Sequence, residues 1–165
     1  MKIPHTIAHA GLVEPEIQYA ALPWRFTDKL EIMLITSRRT RRWVIPKGWP
    51  MIGRKPYATA AIEAIEEAGL LGKIDKETLG FFHYKKKIGN GEHIVCCVHV
   101  FALRVERQKK NWPEKNQRLT KWFSVSEASR LVQEPELAEL IMDFRKPFSK
   151  QIKKDVSHGD AVLIN

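Results

Sequence analysis

Apolar residues along the chain fall into short runs interrupted by polar and glycine-rich breaks, and the spacing within each run separates strands from helices. Glu16–Thr27 reads as a first strand that ends at Pro23, where a backbone donor is lost. Lys29–Thr36 (KLEIMLIT) is a second strand rich in Ile, Leu and Met. Ser37–Arg42 is a basic turn, and Trp43–Pro46 a short strand leading into Lys47-Gly48. Pro56 opens an alanine-rich helix that Gly69 closes. Thr78–Ile88 and His93–Arg107 are strand-like runs flanking Gly89-Asn90-Gly91-Glu92, a hairpin turn. In the second run both alternating sets are apolar, Val95, Cys97, Phe101 and Leu103 against Ile94, Cys96, Val98 and Val100. That pattern predicts a central strand covered on both faces. Gln108–Arg118 is a polar loop, and Trp122–Val125 leads into a helix whose Ser124 and Glu127 have capping-box spacing. Pro135–Phe144 is a last helix, with Leu137, Leu140, Ile141 and Phe144 along one stripe. The sum is an α/β domain, a mixed sheet with helices on both faces.

Length and composition agree with a single domain over 1–165. The 165 residues suffice to bury a core, and 44% apolar content is that of an ordinary globular protein. A loosely ordered N-terminus over 1–14 and a basic tail over 146–165 are expected at its ends. Apolar runs stop well short of the ~20 residues a bilayer-spanning helix needs, and no apolar leader is visible, so neither a membrane partner nor secretion is expected. The two cysteines, Cys96 and Cys97, are neighbours on a strand and point to opposite faces, which suits reduced thiols in the cytoplasm. A net charge of +9 calls for an anionic partner, whether nucleic acid, anionic headgroups or a phosphorylated small molecule.

The chemistry concentrates on the helix over 56–68. Glu63, Glu66 and Glu67 share an arc of roughly 100°, and no Lys or Arg on that helix offsets them. Ala58, Ala61, Ile65 and Ala68 are placed on the opposite side. A carboxylate cluster without counter-ions suits a hard cation, Mg²⁺ or Mn²⁺, although three glutamates on a helix are by themselves commonly a solvated face. Arg38, Arg39, Arg41, Arg42 and Lys47 crowd the approach to this helix, either as a solvated turn or as a clamp for phosphate oxygens. His83, His93 and His99 do not converge by spacing on a zinc site. Trp43, Trp49, Trp112 and Trp122 are expected mostly in packing roles.

Gly48–Leu70 resembles the Nudix box. That pattern runs Gly, five residues, Glu, seven residues, Arg-Glu, an aliphatic, any residue, Glu-Glu, any residue, Gly and an aliphatic. Gly48, Glu63, Ala64, Glu66, Glu67, Gly69 and Leu70 stand at its positions, while Arg54 replaces the first Glu and Ile62 replaces the Arg. The segments AALPWR, WVIPKGWP and WPEKNQRLTKWFSVSEA are similar to the diphosphoinositol-polyphosphate and dinucleoside-polyphosphate branch of the family. The resemblance implies a Nudix-type α/β/α sandwich with two C-terminal helices. It implies metal held by Glu63, Glu66, Glu67 and the Gly48 carbonyl, with Glu67 or Glu63 as general base and Glu114 a weaker candidate that reads first as a surface loop residue. It further implies hydrolysis of a phosphoanhydride, with Arg39, Arg41, Arg42 and Lys47 holding phosphate; nucleic acid is the less favoured partner. Losing the box Arg and the first Glu together leaves open a second reading, a low-turnover module that binds a nucleotide or RNA end. Ile62 is expected to be partly packed.

Overall fold

The computed structural model describes residues 14–150; the expected loose N-terminus, up to residue 13, and the tail from residue 151 lie outside the described residues. The sheet is built from β1 (Glu16–Phe26), β2 (Leu30–Thr36), β3 (Trp43–Val44), β4 (Lys47–Gly48), β5 (Leu70–Ile74), β6 (Gly80–Lys87), β7 (His93–Gln108) and β8 (Thr120–Ser124). Its spine runs β3-β2-β1-β7-β5, with β4 on β1, β6 on β7 and β8 on β2. The β1–β7 pair is parallel and every other pair antiparallel, so the sheet is mixed, as expected.

Alternation along the strands divides the core in two. Ala20, Leu22, Ile32, Leu34, Val98, Val100 and Ala102 face α2 (Val125–Leu131) and α3 (Pro135–Phe144). Ala21, Met33, Ile35, Phe101 and Leu103 face α1 (Pro56–Ala68). Helices therefore cover both faces. Ser124 caps α2 by accepting from the Glu127 N–H at 3.2 Å, and its hydroxyl donates to the Glu127 carboxylate at 3.1 Å, which realises the capping-box spacing.

Four expectations need correction. First, β1 does not end at Pro23 but continues to Phe26. Its pairing with β2 begins at Trp24, one residue beyond the proline, so the missing N–H falls where β1 changes partner from β4 to β2. Second, Leu70–Ile74, left unassigned by the sequence pattern, is a strand, and the segment expected only to lead into a helix is itself another, Thr120–Ser124. The first carries Gly72 at a bulge and is short and half-polar, and the second merges into its helix cap; both signals are weak in sequence.

Third, β7 is covered on one face along Cys96, Val98, Val100 and Ala102. On the other, Phe101 and Leu103 lie under α1, whereas Val95 is 41% exposed and Cys97 and His99 are half-buried. Fourth, the buried line of α1 is Thr59, Ala60, Ala64, Glu67 and Ala68; Ala58, Ala61 and Ile65 are only half-buried. Ala60, Ala64 and Ala68 form an i, i+4 row whose small side chains let the helix lie close on the sheet. The acidic arc therefore overlaps the core side and carries Glu67 inward. Ile62, expected to be partly packed, is half-buried.

Of the segment expected as a basic tail, Lys146–Phe148 forms a 3₁₀ turn. Phe148 meets Trp24 at 5.0 Å and Phe144 at 5.3 Å between ring centroids.

Gly69 ends α1 at φ 67°, and its N–H returns to the Ile65 carbonyl at 2.9 Å. A Cβ there would overlap the Trp112 indole. Gly69→Ala is therefore expected to cost about 2 kcal/mol or more, from the left-handed backbone and the displaced ring together. Urea unfolding reads this as a lower midpoint at unchanged slope.

Candidate active site

The site begins where β4 hands the chain to α1. Gly48 pairs with Tyr19 of β1, and a Cβ on Gly48 would overlap the Glu63 carboxylate. Only a residue without a side chain lets Glu63 lie against this backbone. One turn further along, Glu67 is 7% exposed, and both of its carboxylate oxygens are engaged. The Lys47 N–H donates to Oε2 at 3.3 Å, and Arg118 Nη2 donates to Oε1 at 3.3 Å.

Arg118 enters from the loop after β7. Its Nη2 also donates to Glu114 Oε1 at 3.2 Å, and its Nη1 to the Thr36 carbonyl at 3.2 Å. The Glu114 N–H donates to the Glu66 carbonyl at 3.1 Å, which ties that loop to the end of the helix. Arg38 approaches Glu114 at 3.4 Å.

Burial dominates the electrostatics. It pushes the Glu63 carboxyl up to about 8, helped by the like charges of Glu67, Glu66 and Glu114. Burial also raises Glu67, to about 7, against the opposing pull of Arg118 and Lys47. Two inward carboxylates that resist ionising together are a cation-demanding arrangement.

Glu63, Glu67 and Gly48 are thus brought together, while Glu66 is exposed at the margin. Glu114, expected first as a surface loop residue, is half-buried inside the cluster, with 18% of its side chain exposed. Arg118 was not anticipated. Its only local signal is the i, i+4 spacing to Glu114, and nothing in the sequence connects it to α1.

The expected arginine clamp divides. Arg41, at φ 56°, donates to the Gln117 carbonyl at 3.2 Å, and Arg38 donates to the Gln117 side chain at 3.3 Å, so both border the carboxylate site. Arg39 is exposed. Arg42 turns instead to Glu134, at 2.5 Å. Lys47 gives its N–H to Glu67 but sends its side chain to the opposite face, with Nζ 5.3 Å from the Tyr84 ring centroid. Burial lowers its ammonium to about 8. On β6, Tyr84 and Lys86 are half-buried, while Lys85 and Lys87 are exposed; strand alternation resolves the lysine run. Lys47, Lys86 and Arg42 therefore surround Tyr84, whose hydroxyl donates to Gln18 at 2.6 Å.

The discounted residues do not converge on this site. His83 pairs with Glu136 at 3.1 Å, His99 packs edge-on against Phe81 and Tyr19, and His93 is exposed. Trp43 packs on Phe123, Trp122 lies under Arg25 and Trp112 lies against Gly69, while Trp49 is 42% exposed. Among the described residues no three His, Cys, Asp or Glu side chains form a ready metal cage. Mg²⁺ and Mn²⁺ do not require one. Such ions are commonly held by one or two carboxylates, water and substrate phosphate. The donor chemistry of Glu63 and Glu67 fits that mode.

Comparison with known proteins gives the same direction. Nudix hydrolase 21 of Arabidopsis thaliana, a chloroplastic protein, is 34% identical over 128 residues, 74% of this chain and 63% of that protein. Its mitochondrial relative Nudix hydrolase 12 is 33% identical over 109 residues, 64% of this chain and 54% of the relative. The chain thus spans between half and two thirds of the length of these relatives. The diphosphoinositol polyphosphate phosphohydrolase 3-alpha of Mus musculus is 29% identical, covering 69% of this chain and 67% of its own. Among solved structures, a C. elegans Ap4A hydrolase binary complex shares the fold at TM-score 0.61 and 18% identity, over 82% of this chain and 98% of that one. The NUDIX domain of Shewanella oneidensis NrtR, complexed with ADP ribose, gives TM-score 0.59 at 12% identity, over 83% and 92%. The NUDIX domain family model matches residues 17–144, a span that takes in Gly48, α1 and the loop carrying Glu114 and Arg118, and this chain is a member of the Nudix hydrolase family.

Proposed function

We propose that this protein hydrolyses a phosphoanhydride bond in a polyphosphorylated small molecule, using Mg²⁺ or Mn²⁺. The observation that carries the proposal is the inward pair Glu63 and Glu67, set against a side-chain-free Gly48 and crowded by a third carboxylate. Glu63, Glu67 and the Gly48 carbonyl would hold the ion, with exposed Glu66 at its margin. When bound, the ion neutralises phosphate charge and lowers the pKa of a water poised for in-line attack. Glu67 is fixed from both sides by Lys47 and Arg118 and serves as an oriented ligand. Among the described residues no hydrogen bond ties down the Glu63 carboxylate, which lies against Gly48 and is left free to act as general base. The free cysteines Cys96 and Cys97 fit a reducing compartment such as the cytoplasm. No described helix is long and apolar enough to cross a membrane.

For substrate, we favour dinucleoside polyphosphates or diphosphoinositol polyphosphates over ADP-ribose, a simple nucleoside triphosphate or nucleic acid. Arg38 and Arg41 border the carboxylate site and exposed Arg39 lies between them in sequence, more cationic charge than a ligand with two phosphates needs. The similarity to a diphosphoinositol polyphosphate phosphohydrolase supports the same preference. A panel of these compounds compared by kcat/KM tests it, and ADP-ribose as the best substrate would refute it. Arg41→Met is expected to raise KM for the preferred polyphosphate about tenfold and to leave kcat within about twofold, the pattern of a lost ground-state phosphate contact. Steady-state kinetics at physiological salt provides the check.

A second reading, a module that binds a nucleotide or RNA end with little turnover, draws on the exposed Arg54 where the family has an acidic residue. Tight binding of panel members without product release would favour it.

A further inference from the structure

Position 62 of the box, an arginine in the family pattern, holds a half-buried isoleucine here, yet the carboxylates of α1 are not left without a guanidinium. Arg118 lies with 9% of its side chain exposed between Glu67 and Glu114, at 3.3 and 3.2 Å from their Oε1 atoms. We propose that Arg118 is the positioning residue for the metal-binding Glu67, supplying from the loop after β7 the charge that the helix has lost at position 62. The inference rests on the metal-dependent reading of the site given above.

Three features carry it. The first is anchorage: Nη1 of Arg118 donates to the Thr36 carbonyl at 3.2 Å, so the guanidinium is pinned to the end of β2 before it reaches either glutamate. Leu119 next to it donates its N–H to the Thr36 hydroxyl at 2.9 Å, and the Thr36 N–H returns to the Leu119 carbonyl at 3.0 Å. The loop end is therefore laced to Thr36 by Arg118 and by the residue that follows it.

The second is complementarity. Lys47 takes one oxygen of Glu67 through its backbone and Arg118 takes the other, so the carboxylate is oriented from opposite sides. Each oxygen retains a further lone-pair direction for a cation. A charged, planar donor can hold two carboxylates at once, which a lysine ammonium does with less geometric control.

The third is economy of charge. Among the described residues, the cationic side chains that pair with this carboxylate cluster are Arg118, on Glu67 and Glu114, and Arg38, on Glu114. Arg38 is largely exposed, with 59% of its side chain accessible, so Arg118 is the buried cation of the set. A residue in this position acts through Glu67 and Glu114 rather than on the substrate. Its removal should disturb ion binding and turnover more than substrate affinity.

The test uses the full chain with three readouts: Mn²⁺ affinity without substrate by electron paramagnetic resonance, kcat and KM on the best panel substrate, and thermal unfolding. Arg118→Met is expected to weaken Mn²⁺ binding by about tenfold or more and to lower kcat by about 10²-fold, with KM changed less than about threefold. Arg118→Lys, which keeps the charge without the planar fork, should fall between parent and Met variant in Mn²⁺ affinity and kcat. Unchanged Mn²⁺ affinity and kcat in Arg118→Met would overturn the proposal. So would a KM rise of about tenfold at parental kcat and Mn²⁺ affinity, which would make Arg118 a substrate-binding group. Should Arg118→Met not fold, Arg118→Lys decides: a loss of Mn²⁺ affinity and kcat at unchanged KM supports positioning, and parental behaviour refutes it. A parent chain that neither binds Mn²⁺ nor turns over any panel member would instead sink the metal-dependent reading itself, a result distinct from an active parent indifferent to Arg118.

Discussion

Glu63→Gln is expected to lower turnover by about 10²-fold or more with the fold retained. Its carboxylate lies against Gly48 without the hydrogen bonds that fix Glu67, and in the proposed chemistry it takes the proton from the attacking water. Gln keeps the size of the side chain and removes that capacity. Glu67→Gln should give a loss of comparable size for a different reason. An amide in place of the carboxylate loses its charge-assisted bond to Arg118 and one ligand charge, so Mn²⁺ affinity falls along with turnover. Glu66→Gln should lose less than either, because Glu66 is exposed. Urea denaturation without metal separates chemistry from folding. Glu63→Gln should be at least as resistant as the parent at neutral pH, since it removes a carboxyl that must take up a proton on folding. Parental turnover in both the Glu63 and Glu67 variants would contradict the assignment of the site.

Gly48→Ala should be nearly as damaging, and its cause is steric. The added Cβ would overlap the Glu63 carboxylate, which is the far end of a flexible side chain and can swing aside. The fold should therefore tolerate the change, with a midpoint of unfolding close to that of the parent, while the displaced carboxylate no longer meets the reacting water. Misplacement of a catalytic group by about 1 Å is enough to cost about 10²-fold in rate. Circular dichroism and steady-state kinetics on one preparation separate the two effects. A Gly48→Ala enzyme with parental kcat would show that Glu63 does not need its seat on β4. The contrast with Gly69→Ala is informative, because there the overlapped group is the Trp112 indole and the left-handed backbone adds its own strain, so stability falls first.

Much of this architecture was legible in the sequence. The helix over Pro56–Ala68 and the helix over Pro135–Phe144 have start signals in their prolines, and the first has a stop signal in Gly69. The hairpin at residues 89–92 closes as its glycines suggest, with Gly91 at φ 85° and the Ile88 N–H donating to the Glu92 carbonyl at 2.8 Å. The glutamates of α1 were legible because a purely acidic arc on a helix is visible in its spacing.

What remained hidden depends on packing between distant segments. The buried row of α1 is Ala60, Ala64 and Ala68, and alanines on every side of that helix leave its core face undetermined by composition. Val95 is exposed because α1 covers only part of β7, a fact of helix length and placement. Arg42 was expected on phosphate but meets Glu134, 92 residues away. Arg118 meets Glu67 across 51 residues, and Glu114 moves inward only because Arg118 and the Glu66 carbonyl hold it there. Ion pairs of this kind are set by the third dimension and leave no periodic trace.

Metal-dependent hydrolysis is the central claim, and its most direct measurement is product release from a dinucleoside tetraphosphate by protein stripped with chelator and then titrated with Mn²⁺ or Mg²⁺. The expected result is no release before titration, and release that rises and saturates with the ion in the parent but stays about 10²-fold lower in Glu63→Gln. Release by the stripped protein at the full rate, or a metal-dependent rate that is the same in parent and Glu63→Gln, would contradict it.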